Sequence, residues 1–180
     1  IRNGFLELIK QMTEIANQIN ARILNLHLRR GVYFTLPDRK IWVNEKNLGR
    51  SIKHFSEALV EIDDWANRSG CKICLENEGM NDFVFACIQE LNKYKNLFLT
   101  WDVGHDCSDG FRATSVMEQN PLKVAHMHLH DCDGSKNHKP LFTGELNIRK
   151  FLDFANGHGL TVVVEVKTSE ALRESIKTLR

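Results

Sequence analysis

Five residues that can hold a cation or carry a proton stand at the ends of five short apolar runs: His27, Glu76, Asp102, His128 and Glu165. The runs cover 22–28, 71–77, 97–103, 123–129 and 160–166 of a 180-residue chain. Two Glu, one Asp and one His brought to one point form a hard, oxygen-rich site for a divalent cation. One carboxylate at such a place is usually a helix cap or a solvated loop residue. Five successive runs ending this way are much harder to assign to caps. Further ligand types crowd the same places. His105 follows Asp102 by three, His126 and His130 flank His128 at the same parity, and His138 lies in the loop beyond. Taken singly, each of these is more often structural than functional.

The elements that position them follow from hydrophobic period. Residues 3–20 carry Phe5, Leu8, Ile9, Met12, Ile15, Ala16 and Ile19, the stripe of an amphipathic helix. The apolar runs read as strands. Helices are predicted at 48–69, 81–93, 112–119, 147–156 and 168–179. Gly70 closes the first of these, Asn81 or Asp82 opens the second, and Thr168 or Ser169 opens the last. Segments 29–47 and 130–146 read as loops. The order is a helix followed by five strand–helix units, which implies an α/β fold with parallel strands and right-handed crossovers. An open doubly wound sheet and a section of a (β/α)8 barrel both fit. The glycine-rich phosphate loop of a dinucleotide-binding sheet is missing. The ligand-type residues at successive strand ends favour the barrel, whose strands deliver their C-terminal ends to one active rim.

Composition narrows the function. Lys and Arg number 24 and Asp and Glu 23, for a net charge of +1. That weighs against a nucleic-acid partner. No apolar run reaches the roughly 20 residues that span a bilayer. The five cysteines are an odd number in a chain too long to need stapling, so a cytoplasmic location without a disulfide framework is expected. Cys71 and Cys74 have CxxC spacing without a second pair and read as buried structure. Cys87, Cys107 and Cys132 show no pairing pattern. Arg29 and Arg30 could meet a phosphate, but a solvated loop is the simpler reading. Phe5, Phe55, Trp65, Phe83 and Phe151 read as core, and Trp101 is expected to face the surrounding helices.

Four stretches resemble one family. Leu-Glu-Asn-Glu-Gly at 75–79, Trp-Asp-Val-Gly-His at 101–105, His-Met-His-Leu-His-Asp at 126–131 and Val-Val-Val-Glu-Val at 162–166 are similar, in this order, to the xylose isomerase-like TIM-barrel superfamily. That group includes sugar-phosphate isomerase/epimerases, ketose 3-epimerases, hydroxypyruvate isomerases and endonuclease IV (AP endonuclease family 2). The resemblance implies that Glu76, Asp102, His128 and Glu165 are metal ligands, with Mn, Mg, Co or Zn as the ion. It implies that His27, His105 and His138 bind substrate or a second metal. The activity implied is metal-dependent isomerisation or epimerisation of a sugar or sugar phosphate. Glu76 and Glu165 would move the proton through an enediolate held on the divalent cation.

The alternative is an endonuclease IV-like, zinc-dependent phosphodiesterase acting on abasic DNA. Against it, Lys136 stands where that branch has an Asp two residues before the loop histidine, and Phe142-Thr143-Gly144-Glu145 replaces its Gly-Glu-Gly run. The resemblance also makes 1–180 a single partial barrel of about five βα units, without the first three strands. The edge strands would then meet either further βα units or another subunit, so a homo-oligomer is one expectation.

Overall fold

The computed structural model describes residues 2–134 and 136–179. In chain order the elements are α1 (Arg2–Gln18), β1 (Ile23–Leu28), β2 (Tyr33–Thr35), β3 (Lys40–Trp42), α2 (Val43–Lys46), α3 (Leu48–Ser69), β4 (Lys72–Asn77), α4 (Asp82–Leu91), β5 (Leu97–Asp102), α5 (Val103–Ser108), α6 (Thr114–Gln119), β6 (Val124–Leu129), β7 (Asp131–Asp133), β8 (Lys136–Lys139), α7 (Ile148–His158), β9 (Thr161–Val164) and α8 (Ser169–Thr178). The main sheet has the order β1-β4-β5-β6-β9. The β5–β6 and β6–β9 pairs are parallel, with Asp102 beside His128 and His128 beside Val163. Five strands joined through helices are the partial (β/α) barrel that the alternation predicts.

The chain forms two compact units. The first comprises residues 1–75 and 80–98. In it α3 packs against both α1 and α4. Leu59, Ile62 and Ala66 form the buried stripe of α3, and Gly70 ends that helix in the left-handed conformation its missing Cβ allows. Asn81 caps α4 by accepting from the Val84 N–H. Cys71 and Cys74 are buried and outside any disulfide, in keeping with the reading of buried structure.

Two expectations change here. Phe5 is 64 % exposed, and Leu8, Ile15 and Ile19 are exposed with it. Helix α1 buries Leu6, Thr13 and Ala16, half-buries Ile9 and Met12, and leaves the flank of Phe5, Leu8 and Ile15 exposed. The predicted loop at 29–47 contains the β2–β3 hairpin, in which Tyr33 packs on Trp42 and Lys40 lies over the Tyr33 ring. Runs of three residues are too short to show a period.

The second unit comprises residues 76–79 and 99–180. Trp101 is buried between Phe151 and Phe154, both edge-on at 5.2 Å, and its indole N–H donates to Asp106. It therefore faces a helix, as expected. Thr168 caps α8 by accepting from the Ala171 N–H. The predicted loop at 130–146 holds the β7–β8 hairpin. Cys107 and Cys132 form a disulfide across 25 residues of sequence, a pairing their spacing does not announce. Among the described residues no helix is long and apolar enough to cross a membrane.

Candidate metal centre

Glu76 lies near the end of β4, Asp102 at the end of β5 and His128 near the end of β6. Glu165 comes just after β9, where its backbone N–H still donates to the Leu129 carbonyl. Parallel strands deliver these ends to one side, and alternation turns the four side chains to one face. Their donor atoms all lie within 4.8 Å of one another. All four belong to the second unit.

The His128 Nδ1 is 3.0 Å from Glu165 Oε2, 3.4 Å from Glu76 Oε2 and 3.8 Å from Asp102 Oδ2. Glu76 and Asp102 are almost wholly buried, whereas the Glu165 side chain is 41 % exposed. Burial therefore leaves one carboxylate at the open side of the cluster and two at its floor.

The groups fit a cation. His105 Nδ1, His128 Nδ1 and Glu165 Oε2 are buried polar atoms without a hydrogen-bond partner among the described residues. Two of them lie close together without forming a hydrogen bond, as ligands aimed at a shared point do. Buried polar atoms are rarely left unsatisfied, and each one needs a reason. Three carboxylates and one imidazole form a donor set suited to a divalent first-row cation or Mg.

A layer behind these four side chains holds them in place. Asn77 clamps the Asp102 backbone, accepting its N–H at 2.9 Å and donating to its carbonyl at 3.0 Å. The Asp102 carboxylate accepts from the His105 N–H at 2.7 Å and so caps α5. Burial would raise the Asp102 pKa, but the hydrogen bond from His130, together with His105, outweighs it and holds the carboxyl below its ordinary range. For His128, burial pulls the pKa down. The carboxylates of Glu76, Glu165 and Asp102 outweigh that pull and leave it raised above 6.5.

That direction makes a prediction. A cation must displace the proton on His128, because only the neutral imidazole can ligate. With the pKa raised, the proton is retained further up the pH scale, so affinity still climbs with pH above 6.5. Mn2+ affinity measured by calorimetry should rise by up to about tenfold per pH unit through this range and level off above it. Affinity that is already flat from about pH 6 upward would remove His128 as the titrating ligand.

The remaining histidines divide. His105, His130 and His138 form a second group of nitrogens within 4.8 Å of one another. His130 and His138 stack at 4.1 Å. The His138 backbone is left-handed, with φ 56°, an uncommon state for a residue with a side chain. Burial pushes its pKa down. His27 is exposed on β1 in the first unit and is in neither cluster. His126 is bonded to Thr161 Oγ1 at 2.6 Å and packs edge-on to His128. Asn77 and His130 have no assigned role in the sequence reading. Their only signal there is position, one residue after Glu76 and two after His128.

Comparison with known proteins bears on the fold. No protein of curated function matches the chain. Among solved structures, a D-tagatose 3-epimerase-like protein superposes with a TM-score of 0.78 at 23 % identity, over 99 % of this chain and 68 % of that one. The IOLI protein with a binding zinc atom gives 0.72 at 20 % identity, over 99 % and 68 %. The D-psicose 3-epimerase of Clostridium cellulolyticum H10, solved with D-tagatose, gives 0.69 at 14 % identity, over 99 % and 69 %. The sequence profile described as xylose isomerase-like TIM barrel matches residues 1–180, and the chain belongs to that family.

Proposed function

We propose that the chain carries the catalytic centre of a metal-dependent sugar or sugar-phosphate isomerase or epimerase. The observation that supports this most is the placing of Glu76 and Glu165 on His128, with oxygens 3.4 and 3.0 Å from the same nitrogen. When bound, a divalent cation supplies polarisation of a ketose carbonyl, which acidifies the neighbouring C–H. Glu76, Asp102, His128 and Glu165 would hold it, and their mixed oxygen and nitrogen donors suit Mn, Mg, Co or Zn.

Proton movement falls to the two glutamates. Glu165, at the open side, takes the proton and can exchange it with solvent. Glu76, enclosed at the floor, faces the substrate from another strand. Return of the proton from the opposite face inverts the carbon, and return to the neighbouring carbon isomerises the sugar. His105 and His138 are suited to sugar hydroxyls, because a neutral imidazole offers one donor and one acceptor. The substrate class is a small ketose or its phosphate. A cytoplasmic location is proposed from the odd cysteine count, and the Cys107–Cys132 disulfide weighs against it, because cytosolic thiols are kept reduced. The thiol state of Cys107 and Cys132 in freshly lysed cells checks that assignment.

The test is a panel of ketoses and ketose phosphates incubated with the protein and Mn2+, with an abasic-DNA duplex and Zn2+ as a parallel arm. Interconversion of at least one sugar, abolished by chelation, is the expected result. Cleavage of the duplex without sugar turnover would replace this reading with the phosphodiesterase one.

A further inference from the structure

The imidazole of His130 is fully buried and has a partner on each nitrogen. Its Nε2 lies 3.0 Å from Asp102 Oδ1 and 3.2 Å from Oδ2. Its Nδ1 accepts the His138 backbone N–H at 2.8 Å. Among the described residues the only other hydrogen-bond contact at Nδ1 is the Asp131 carbonyl at 3.5 Å, at the limit of a hydrogen bond, so the 2.8 Å contact decides the arrangement. An N–H donor facing Nδ1 requires a lone pair there. The ring hydrogen must then sit on Nε2, where it donates to Asp102.

Both nitrogens being engaged, His130 has no free lone pair for a cation. The cluster of His105, His130 and His138 is therefore not a three-imidazole metal site in this arrangement. Gly104 supports the ring: a Cβ at that position would overlap the His130 imidazole. The glycine of the Asp-Val-Gly-His stretch thus makes room for a histidine 26 residues later. The bond from His138 also holds that residue in its left-handed conformation, which persists only where neighbours enforce it.

We propose that His130 is a positioning residue that links two parts of the site. Its Nε2–H fixes the Asp102 carboxylate, and its Nδ1 fixes the β8 backbone that presents the His138 ring. The part concerning Asp102 rests on the cation reading above; the part concerning the His138 loop does not. Outer groups that orient a ligand typically govern cation affinity by 10- to 100-fold.

Two substitutions separate the functions, because the amide of Asn reaches about where Nδ1 sits and that of Gln about where Nε2 sits. His130→Asn keeps an acceptor for the His138 N–H and loses the donor to Asp102. Its Mn2+ affinity should fall by about 10- to 100-fold, with slow His138 amide exchange retained. His130→Gln keeps the donor and loses the acceptor. Its Mn2+ affinity should stay within about threefold of the parent, well short of the outer-group range, while the His138 amide exchanges faster. In the unaltered protein, long-range 1H–15N spectra should show His130 protonated on Nε2 and bare on Nδ1.

A hydrogen on Nδ1 overturns the proposal. So does a folded His130→Asn that binds Mn2+ as the parent does. Should the parent bind no Mn2+, the cation reading fails, and the proposal still stands or falls on the tautomer and on His138 exchange. Should either variant fail to fold, the tautomer in the parent decides.

Discussion

Glu165→Gln is expected to slow exchange of the substrate's reacting C–H with solvent deuterium by about 10²- to 10⁴-fold, the usual contribution of a positioned general base. Gln preserves the shape and length of the side chain and removes its charge and its capacity to take a proton. The backbone is insulated from the change, since the Glu165 N–H bonds to Leu129 and its carbonyl receives the His138 Nδ1 contact at 3.3 Å. With 41 % of the side chain exposed, the substitution should leave the melting curve almost unmoved. Glu76, Asp102 and His128 remain as donors, so Mn2+ should still bind, more weakly. Exchange is the measurement to choose, because it reads the proton step before product release. Parent-like exchange at saturating Mn2+, with an unchanged circular dichroism spectrum, would take Glu165 out of the proton-moving role and leave it at most a ligand.

Much of this was legible before any coordinates. The strand–helix alternation predicts each strand of the main sheet, because each is a short, mostly apolar run between helical stripes; β4, β5 and β6 are largely buried, while β1 and β9 are only partly covered. The placing of Glu76, Asp102, His128 and Glu165 follows from the same fact, since a residue ending a parallel strand is carried to a common side. Parity does not supply the supporting layer. Asn77 acts through the Asp102 backbone and His130 through two hydrogen bonds to residues 28 and 8 positions away, and no period in a sequence encodes a partner at such distances. The hairpins in 29–47 and 130–146 were invisible for another reason. Their strands have three or four residues each and are stabilised by cross-strand pairs such as Tyr33–Trp42 and the Lys139–Asp133 ion pair. The α1 stripe was legible as amphipathic, yet it over-read the buried side: Phe5 and Ile19 carry the pattern without being covered. Periodicity reports which face could be buried, and only packing reports which face is.

Asp131→Ala is expected to destabilise the protein by about 3 kcal/mol, the largest single loss among the residues around the site that do not touch the cation cluster. Its side chain is fully buried and works as a three-way acceptor. Oδ1 takes the Cys132 N–H at 2.8 Å and the Leu146 N–H at 3.1 Å, and Oδ2 takes the Gly144 N–H at 2.9 Å. One carboxylate thus closes the segment from β7 to the start of α7. Gly144 is part of the same device, because a Cβ there would meet the Cys132 carbonyl and this carboxylate. Alanine would leave three backbone donors without their partner, each costing about 1–3 kcal/mol where water cannot reach it. Partial solvation at Gly144 keeps the sum toward the lower end. For a chain of this size the loss corresponds to a fall in Tm of roughly 6–12 °C. Asn should cost less: its oxygen can keep the Cys132 and Leu146 donors, while its amide would face the Gly144 N–H donor to donor. Urea unfolding gives the comparison, with a lower midpoint and an unchanged slope marking a stability effect alone. The order alanine, asparagine, parent should appear in the midpoints. A loss of less than about 0.5 kcal/mol for alanine, the range of an ordinary surface change, would show that this carboxylate does not hold the loop.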